Sequence, residues 1–141
     1  MKKSYSLPKD LRYSLNHEWV RIVDEKTAVV GITDYAFEEG GGVGTRTILS
    51  IELPNVGKRV NQTESIATIE TEKTVSDVYS PLSGEILEIN AKLRDDPTPI
   101  GLDPYGEGWI VKLNIDNSMQ IRQLMDSQKY REYVDESQST L

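Results

Sequence analysis

Seven short stretches of β-branched and other apolar residues, each closed by turn residues, constrain the fold most strongly. They lie at residues 19–23, 27–33, 47–53, 65–70, 75–80, 84–90 and 108–115. Strands of this length and spacing predict a mainly β domain, either a sandwich or a barrel. The segment "EILEI" (85–89) shows the alternation of a half-buried strand most clearly, although Leu87 follows Ile86 directly. The breaks "LPNVGK", "SPLSG" and "DPTPIGLDPYGEG" carry the Pro, Gly, Asn and Asp residues that turns require.

Helical periodicity is mostly confined to the C-terminal part of the chain. Apolar residues recur with i, i+3, i+4 spacing at 121, 124 and 125 and again at 130, 133 and 134, which predicts two short helices packed on the sheets. Ser118 and either Asp126 or Ser127 are candidate N-caps. A further short turn of helix is expected to follow "GITDYAFEE" (31–39). The predicted organisation is an N-terminal extension (1–10), a single domain (11–136) and a fraying tail (137–141).

Composition excludes several classes of function. The net charge is −7 and the longest basic run is "KK" after Met1, which argues against nucleic acid and anionic membranes as partners. No apolar run approaches the length of a membrane span, so a soluble protein is expected, cytoplasmic or in the mitochondrial matrix of a eukaryote. Cysteine is absent, so sulfur chemistry would have to come from a cofactor. The one histidine, His17, cannot build a histidine metal cluster and is expected to be structural or at the surface.

The glycine-rich stretch "EGGGVGT" (39–45) does not fit a phosphate-binding loop. It lacks both a terminal Gly-Lys-Ser/Thr and a G-x-G-x-x-G pattern. We therefore expect a flexible surface loop, whose glycines would also permit close approach by a partner.

Lys73 occupies the predicted turn between two strands. Thr71, Glu72, Lys73 and Thr74 separate strand 65–70 from strand 75–80 and predict a four-residue hairpin loop. A lysine in such a turn is ordinarily a solvated charge. An exposed amine on a rigid hairpin is also the geometry that a covalent carrier needs, because the scaffold fixes the root of the arm while the lysine stem stays flexible.

Five further segments, in order, give the chain a family resemblance. "YSLNHEWVRI", "AVVGITDYA", "IELPNVG", "SDVYSPLSGEILEIN" and "DPYGEGWIVKL" resemble the lipoyl-carrying H protein of the glycine cleavage system, from about Leu11 to about Glu136. "ETEK" is also similar to the lipoylation turn of 2-oxoacid dehydrogenase acyltransferases. A biotin carrier is disfavoured, because that family typically flanks its lysine with methionines. The resemblance implies a barrel-sandwich hybrid of two antiparallel sheets, with lipoate in amide linkage to Lys73 of a non-catalytic, monomeric carrier.

The resemblance also implies partners and further site residues. A lipoate ligase or lipoyl transferase would modify Lys73. A pyridoxal-phosphate glycine decarboxylase would load an aminomethyl group on the arm, a tetrahydrofolate-dependent aminomethyltransferase would remove it, and dihydrolipoyl dehydrogenase would reoxidise the arm. By family correspondence, Glu18 and Asp77 are candidates for docking the cationic loaded arm.

Three departures from the family pattern keep alternatives open. The lysine turn reads E-T-E-K-T (70–74) where H proteins usually have E-S-V-K-A. The segment 37–50 is longer than usual and contains the glycine run, and Asn16 stands where many H proteins have serine or aspartate. One alternative is a lipoate-binding protein that carries sulfur for a sulfur-oxidising heterodisulfide-reductase-like complex. Another is an unmodified β-sandwich interaction module in which Lys73 is only a surface charge.

Overall fold

The structure, a computed structural model, describes residues 5–139 of the chain. The strands within this range are β1 (Arg12–Tyr13), β2 (Glu18–Ile22), β3 (Thr27–Ile32), β4 (Ser50–Glu52), β5 (Arg59–Val60), β6 (Ser65–Glu70), β7 (Val75–Tyr79), β8 (Gly84–Ile89) and β9 (Val111–Ile115). The helices are α1 (Lys92–Asp95), α2 (Thr98–Leu102), α3 (Ser127–Ser139) and two 3₁₀ helices, Asp34–Phe37 and Ser118–Gln123.

Seven of these strands correspond to the seven predicted from the sequence. Strand β6 has the predicted bounds, and the other six are shorter or shifted by a few residues. Strands β1 and β5 were not predicted, because strands of two residues each are too short to show periodicity.

The strands form two antiparallel sheets, which confirms the predicted fold class. The larger sheet has the order β1-β2-β3-β9-β8-β5, and the smaller has the order β4-β6-β7. Val30 and Leu113 from the larger sheet share one buried cluster with Ile69 and Val78 from the smaller. Burial of this apolar surface between the sheets, at about 25 cal/mol per Å², is the main force that holds them together.

The side-chain pattern of each strand follows from its position between core and solvent. In β9, Val111, Leu113 and Ile115 are buried and alternate with more exposed polar residues. In β8 the register with β9 shifts between residues 86 and 88. This irregularity lets Ile86 remain fully buried while its neighbour Leu87 is 40% exposed, and it explains the break in the alternation of "EILEI".

The C-terminal prediction is partly confirmed. The second predicted helix is α3, and the Asp126 carboxylate caps it by accepting a hydrogen bond from the Lys129 N–H (2.8 Å). The first is a 3₁₀ helix, and its cap is Asn117, whose Oδ1 accepts from the Met119 N–H, rather than Ser118. The short turn of helix expected after "GITDYAFEE" (31–39) lies instead within that segment, as the 3₁₀ helix Asp34–Phe37.

Both ends of the described chain pack against the same aromatic cluster. Tyr130 of α3 stacks on Tyr13 of β1, with ring centroids 4.6 Å apart. Tyr5, from the predicted N-terminal extension, is buried and meets Tyr35 edge to face. Helix α3 continues to Ser139, so residues 137–139 of the predicted tail are helical, and residues 140 and 141 lie outside the described part.

Across residues 5–139, the structure contains no helix that is long and apolar enough to cross a membrane.

Candidate functional site

The candidate site is centred on the hairpin that joins β6 to β7. Glu70 pairs with Val75, and the Thr71 N–H donates to the Thr74 carbonyl oxygen (2.9 Å), so the predicted four-residue loop from Thr71 to Thr74 is present. Lys73 lies at the tip and is exposed. None of the ion pairs between described residues involves Lys73. Its amine is therefore accessible to an acylating enzyme.

Thr71 holds this loop in shape. Its side chain is buried, 5% exposed, and its Oγ1 accepts hydrogen bonds from the N–H groups of Lys73 (3.2 Å) and Thr74 (3.0 Å). These bonds satisfy two backbone donors that the tight loop leaves without carbonyl partners, as in an ST turn. The sequence analysis did not identify this role, although a threonine at the first loop position is a signal for it.

Glu18 is the buried carboxylate of the site. It is 2% exposed and begins β2, where its Oε1 accepts from the Ser14 hydroxyl (2.5 Å) and its Oε2 from the Tyr79 N–H of the smaller sheet (3.2 Å). Burial raises the pKa of Glu18 from 4.5 to about 7, although both hydrogen bonds favour the charged form. Near neutral pH, Glu18 is therefore a mixture of the protonated and the ionised form.

Asp77 reaches the same cavity from β7. The cavity has a volume of about 290 Å³, and its lining includes Glu18, Asp77, Asn16, Ser76 and residues 40–43. Asp77 is exposed, and its Oδ1 accepts from the hydroxyls of Ser65 (3.0 Å) and Thr68 (3.4 Å). The structure therefore brings both predicted carboxylates to one cavity, one of them buried and the other in solvent.

His17 also lines this cavity and has a structural role, in line with the expectation. Its φ is 70°, its Nδ1 is 2.8 Å from the Tyr130 hydroxyl oxygen, and its ring is 4.9 Å from the Tyr35 ring between centroids. Burial lowers the pKa of His17 from 6.5 to about 4, so the ring is neutral at neutral pH.

The glycine-rich segment is a surface loop, as the sequence suggested, and hydrogen bonds anchor it to the rest of the molecule. The N–H groups of Val43 and Gly44 both donate to the Ala36 carbonyl oxygen (3.0 and 3.1 Å), and the Ser76 hydroxyl of β7 donates to the Gly42 carbonyl oxygen (2.9 Å). A Cβ at Gly41 would collide with the Tyr35 carbonyl oxygen. The segment is packed against the molecule and connects to the lysine hairpin.

An exposed lysine at the tip of a hydrogen-bonded hairpin, in the smaller of two packed antiparallel sheets, is the arrangement expected of a covalent carrier of the lipoyl type. Comparison with solved structures agrees with this class. The structure is similar to a crystal structure of a glycine cleavage system H protein from Mycobacterium marinum, with a TM-score of 0.72 and 34% sequence identity, covering 96% of this chain and 100% of that chain.

The sequence comparisons identify the family. The family model for the glycine cleavage H-protein matches residues 11–137. The chain is 42% identical over 131 residues to the glycine cleavage system H protein of Symbiobacterium thermophilum, covering 93% of this chain and 98% of the relative. It is 43% identical over 130 residues to the probable glycine cleavage system H protein of Aeropyrum pernix, covering 92% and 87%.

The chain belongs to the glycine cleavage H-protein family. It is a non-catalytic carrier whose cofactor is lipoate, held covalently on a lysine, and its partners are enzymes of the glycine cleavage system. This membership supports the main interpretation of the sequence over the sulfur-carrying and unmodified alternatives.

Proposed function

We propose that Lys73 is the lipoylated lysine and that the protein shuttles the aminomethyl group between the enzymes of glycine cleavage. The observation that carries the proposal is the exposed Lys73 amine at the tip of a loop whose backbone is fixed by Thr71. An amide bond at this amine removes its positive charge. When bound, lipoate supplies a dithiolane whose sulfur atoms accept and release the one-carbon group, in a chain that has no cysteine.

The protein contributes a fixed root and a mobile stem. Thr71 and the β6–β7 ladder hold the Cα of Lys73 in place, while the four methylene groups of the lysine keep their rotational freedom. The modified side chain can therefore sweep through solvent from a defined origin. Attachment to the carrier keeps its local concentration high at any enzyme that docks on the hairpin face.

Glu18 and Asp77 bind the cationic amine of the loaded arm in this proposal. An ammonium group within hydrogen-bonding distance of Glu18 would lower its pKa from about 7 and favour the carboxylate. The contact is stronger at Glu18, which is 2% exposed, than at Asp77, because solvent screens a charge pair at an exposed carboxylate. Enclosure in the cavity would also limit access of water to the bound amine.

The partner enzymes in this proposal are glycine decarboxylase, an aminomethyltransferase and dihydrolipoyl dehydrogenase, and a lipoate ligase or lipoyl transferase installs the cofactor. The face that meets them carries Glu70, Glu72 and Asp77, which are all exposed. We predict that the protein meets these partners as a monomer in the cytoplasm.

A decarboxylation assay tests the proposal. The chain is treated with lipoate ligase and supplied to a glycine decarboxylase that accepts ordinary H proteins, and release of labelled CO₂ from carboxyl-labelled glycine is followed. We expect turnover with the treated wild type and with Lys26→Arg, a matched control in the exposed turn between β2 and β3. Lys73→Arg should give none. Absence of turnover with a wild-type protein that is fully lipoylated would refute the glycine pathway.

A further inference from the structure

A second groove lies beside Lys73, separate from the cavity that contains Glu18. We call it the glycine groove. It has a volume of about 670 Å³ and is lined by Glu39, Gly40, Gly42, Val43, Gly44, Lys73 and Thr74. Volumes of roughly 300–1,000 Å³ are typical of sites that bury small organic ligands.

The glycine segment forms a wall common to both spaces. Gly40, Gly42 and Val43 line the glycine groove and also the Glu18 cavity. The Ser76 hydroxyl bonds the Gly42 carbonyl oxygen and lies 3.1 Å from the Thr74 hydroxyl oxygen, which connects this wall to the lysine hairpin. The groove is thus preformed at a fixed position relative to the root of the Lys73 side chain.

The chemistry of the groove differs from that of the Glu18 cavity. Glycine offers backbone surface without a side chain, so methylene groups can approach closely. Gly42 and Gly44 have φ values of 102° and 78°, and a Cβ built on either would meet no atom within 4 Å. The single carboxylate of the lining, Glu39, is exposed, and the single cation, Lys73, becomes a neutral amide on acylation. These features suit an uncharged, largely apolar occupant.

We propose that the glycine groove is the resting site of the uncharged lipoyl arm on Lys73, distinct from the Glu18 cavity that receives the cationic arm. This inference rests on the proposed function of Lys73. Because the arm is attached to a residue of the groove itself, its effective concentration there is in the mM range. An intrinsic affinity of about 1 mM would then keep the groove occupied about half of the time, while the arm still leaves freely for a partner.

Nuclear magnetic resonance spectra of the full chain before and after lipoylation test the inference. We expect the backbone amide signals of Glu39 and Gly44, which line the glycine groove and not the Glu18 cavity, to shift on lipoylation and to show nuclear Overhauser contacts with the lipoyl methylene groups. The signals of the β2–β3 turn should not move. Changes confined to residues 71–75 would overturn the inference, as would contacts at His17 and Glu18 without contacts at Glu39 or Gly44.

A pair of matched variants separates groove filling from a general backbone effect. Gly44→Asn places a side chain in the groove at a φ that asparagine tolerates. Gly57→Asn makes the same change at φ 91° in the turn before β5, where a Cβ likewise meets nothing within 4 Å. The lipoyl contacts should be lost in the first variant and kept in the second. Equal contacts in both would contradict the resting site.

Intact mass measured on the same samples keeps the two proposals distinguishable. Absence of lipoylation at Lys73 refutes the proposed function. A fully lipoylated Lys73 without contacts to the glycine segment refutes only the resting site.

Discussion

Replacing Glu18 by glutamine should change how the stability of the unlipoylated protein depends on pH. The glutamine keeps the size of the side chain, its one amide oxygen can accept from the Tyr79 N–H, and its NH2 group can donate to the Ser14 hydroxyl oxygen in place of the bond that Ser14 donates to Glu18. It removes the titrating proton. The comparison of wild type with Glu18→Gln therefore isolates the cost of ionising a carboxyl that is 2% exposed.

The expected magnitude follows from the two pKa values of Glu18. Below about pH 4.5 the carboxyl is protonated in the folded and unfolded states alike, and its stabilising contribution is fully present. As pH rises from 4.5 to about 7, the unfolded chain loses the proton that the folded protein retains, so the wild type loses stability. Each pH unit between the two values is worth about 1.36 kcal/mol, which predicts a loss of about 3 kcal/mol.

Urea unfolding at a series of pH values between 4.5 and 8 measures this effect. The stability of Glu18→Gln should rise relative to wild type by about 3 kcal/mol across the range and then stay level. The titration of His17 acts on both proteins and largely cancels in the difference. Glu25→Gln changes an exposed position in the β2–β3 turn. Its difference in stability from wild type should not change with pH. A wild-type minus Glu18→Gln difference that is also flat would refute the buried, proton-retaining carboxyl.

Three further substitutions test the packing around the site. Thr71→Val keeps the buried methyl group and removes the acceptor for the Lys73 N–H, so we expect a loss of about 1 kcal/mol and faster amide exchange at Lys73; unchanged exchange would contradict the role of the hydroxyl. Gly31→Ala places a Cβ 2.5 Å from the Trp19 ring and should cost about 1–3 kcal/mol by calorimetry; an unchanged Tm would show that the ring can move aside. Because the pKa of His17 is lowered from 6.5 to about 4, the contribution of His17 to stability should be lost as pH falls through that window, against the gain from Glu18, so His17→Asn should become more stable relative to wild type as pH falls; a difference that does not change with pH would contradict the burial of the ring.

The sequence predicted the features that depend on local chemistry. Strand β6 and the loop from Thr71 to Thr74 were located correctly because alternation and turn residues are encoded within a few neighbouring positions. The family resemblance gave both Glu18 and Asp77 as candidates for docking the arm, and the structure places both of them at one cavity. The two residues are 59 positions apart in the chain, so their spacing alone could not have indicated this.

Features that depend on contacts between distant segments were not predicted. The glycine segment is held by Ser76 and Ala36, and nothing in "EGGGVGT" itself indicates either bond. The burial of Glu18 likewise results from the approach of Tyr79 in the other sheet. Both depend on how the two sheets pack, which local propensity does not determine.

The central claim is that Lys73 carries the lipoyl group, and peptide mapping by mass spectrometry after treatment with lipoate ligase tests it most directly. The account predicts a lipoyl-sized mass increment confined to the peptide that contains Lys73 in the wild type. Lys26→Arg should be modified in the same way, and Lys73→Arg should remain folded and unmodified. An increment on any other lysine, or one that persists in Lys73→Arg, would contradict the account.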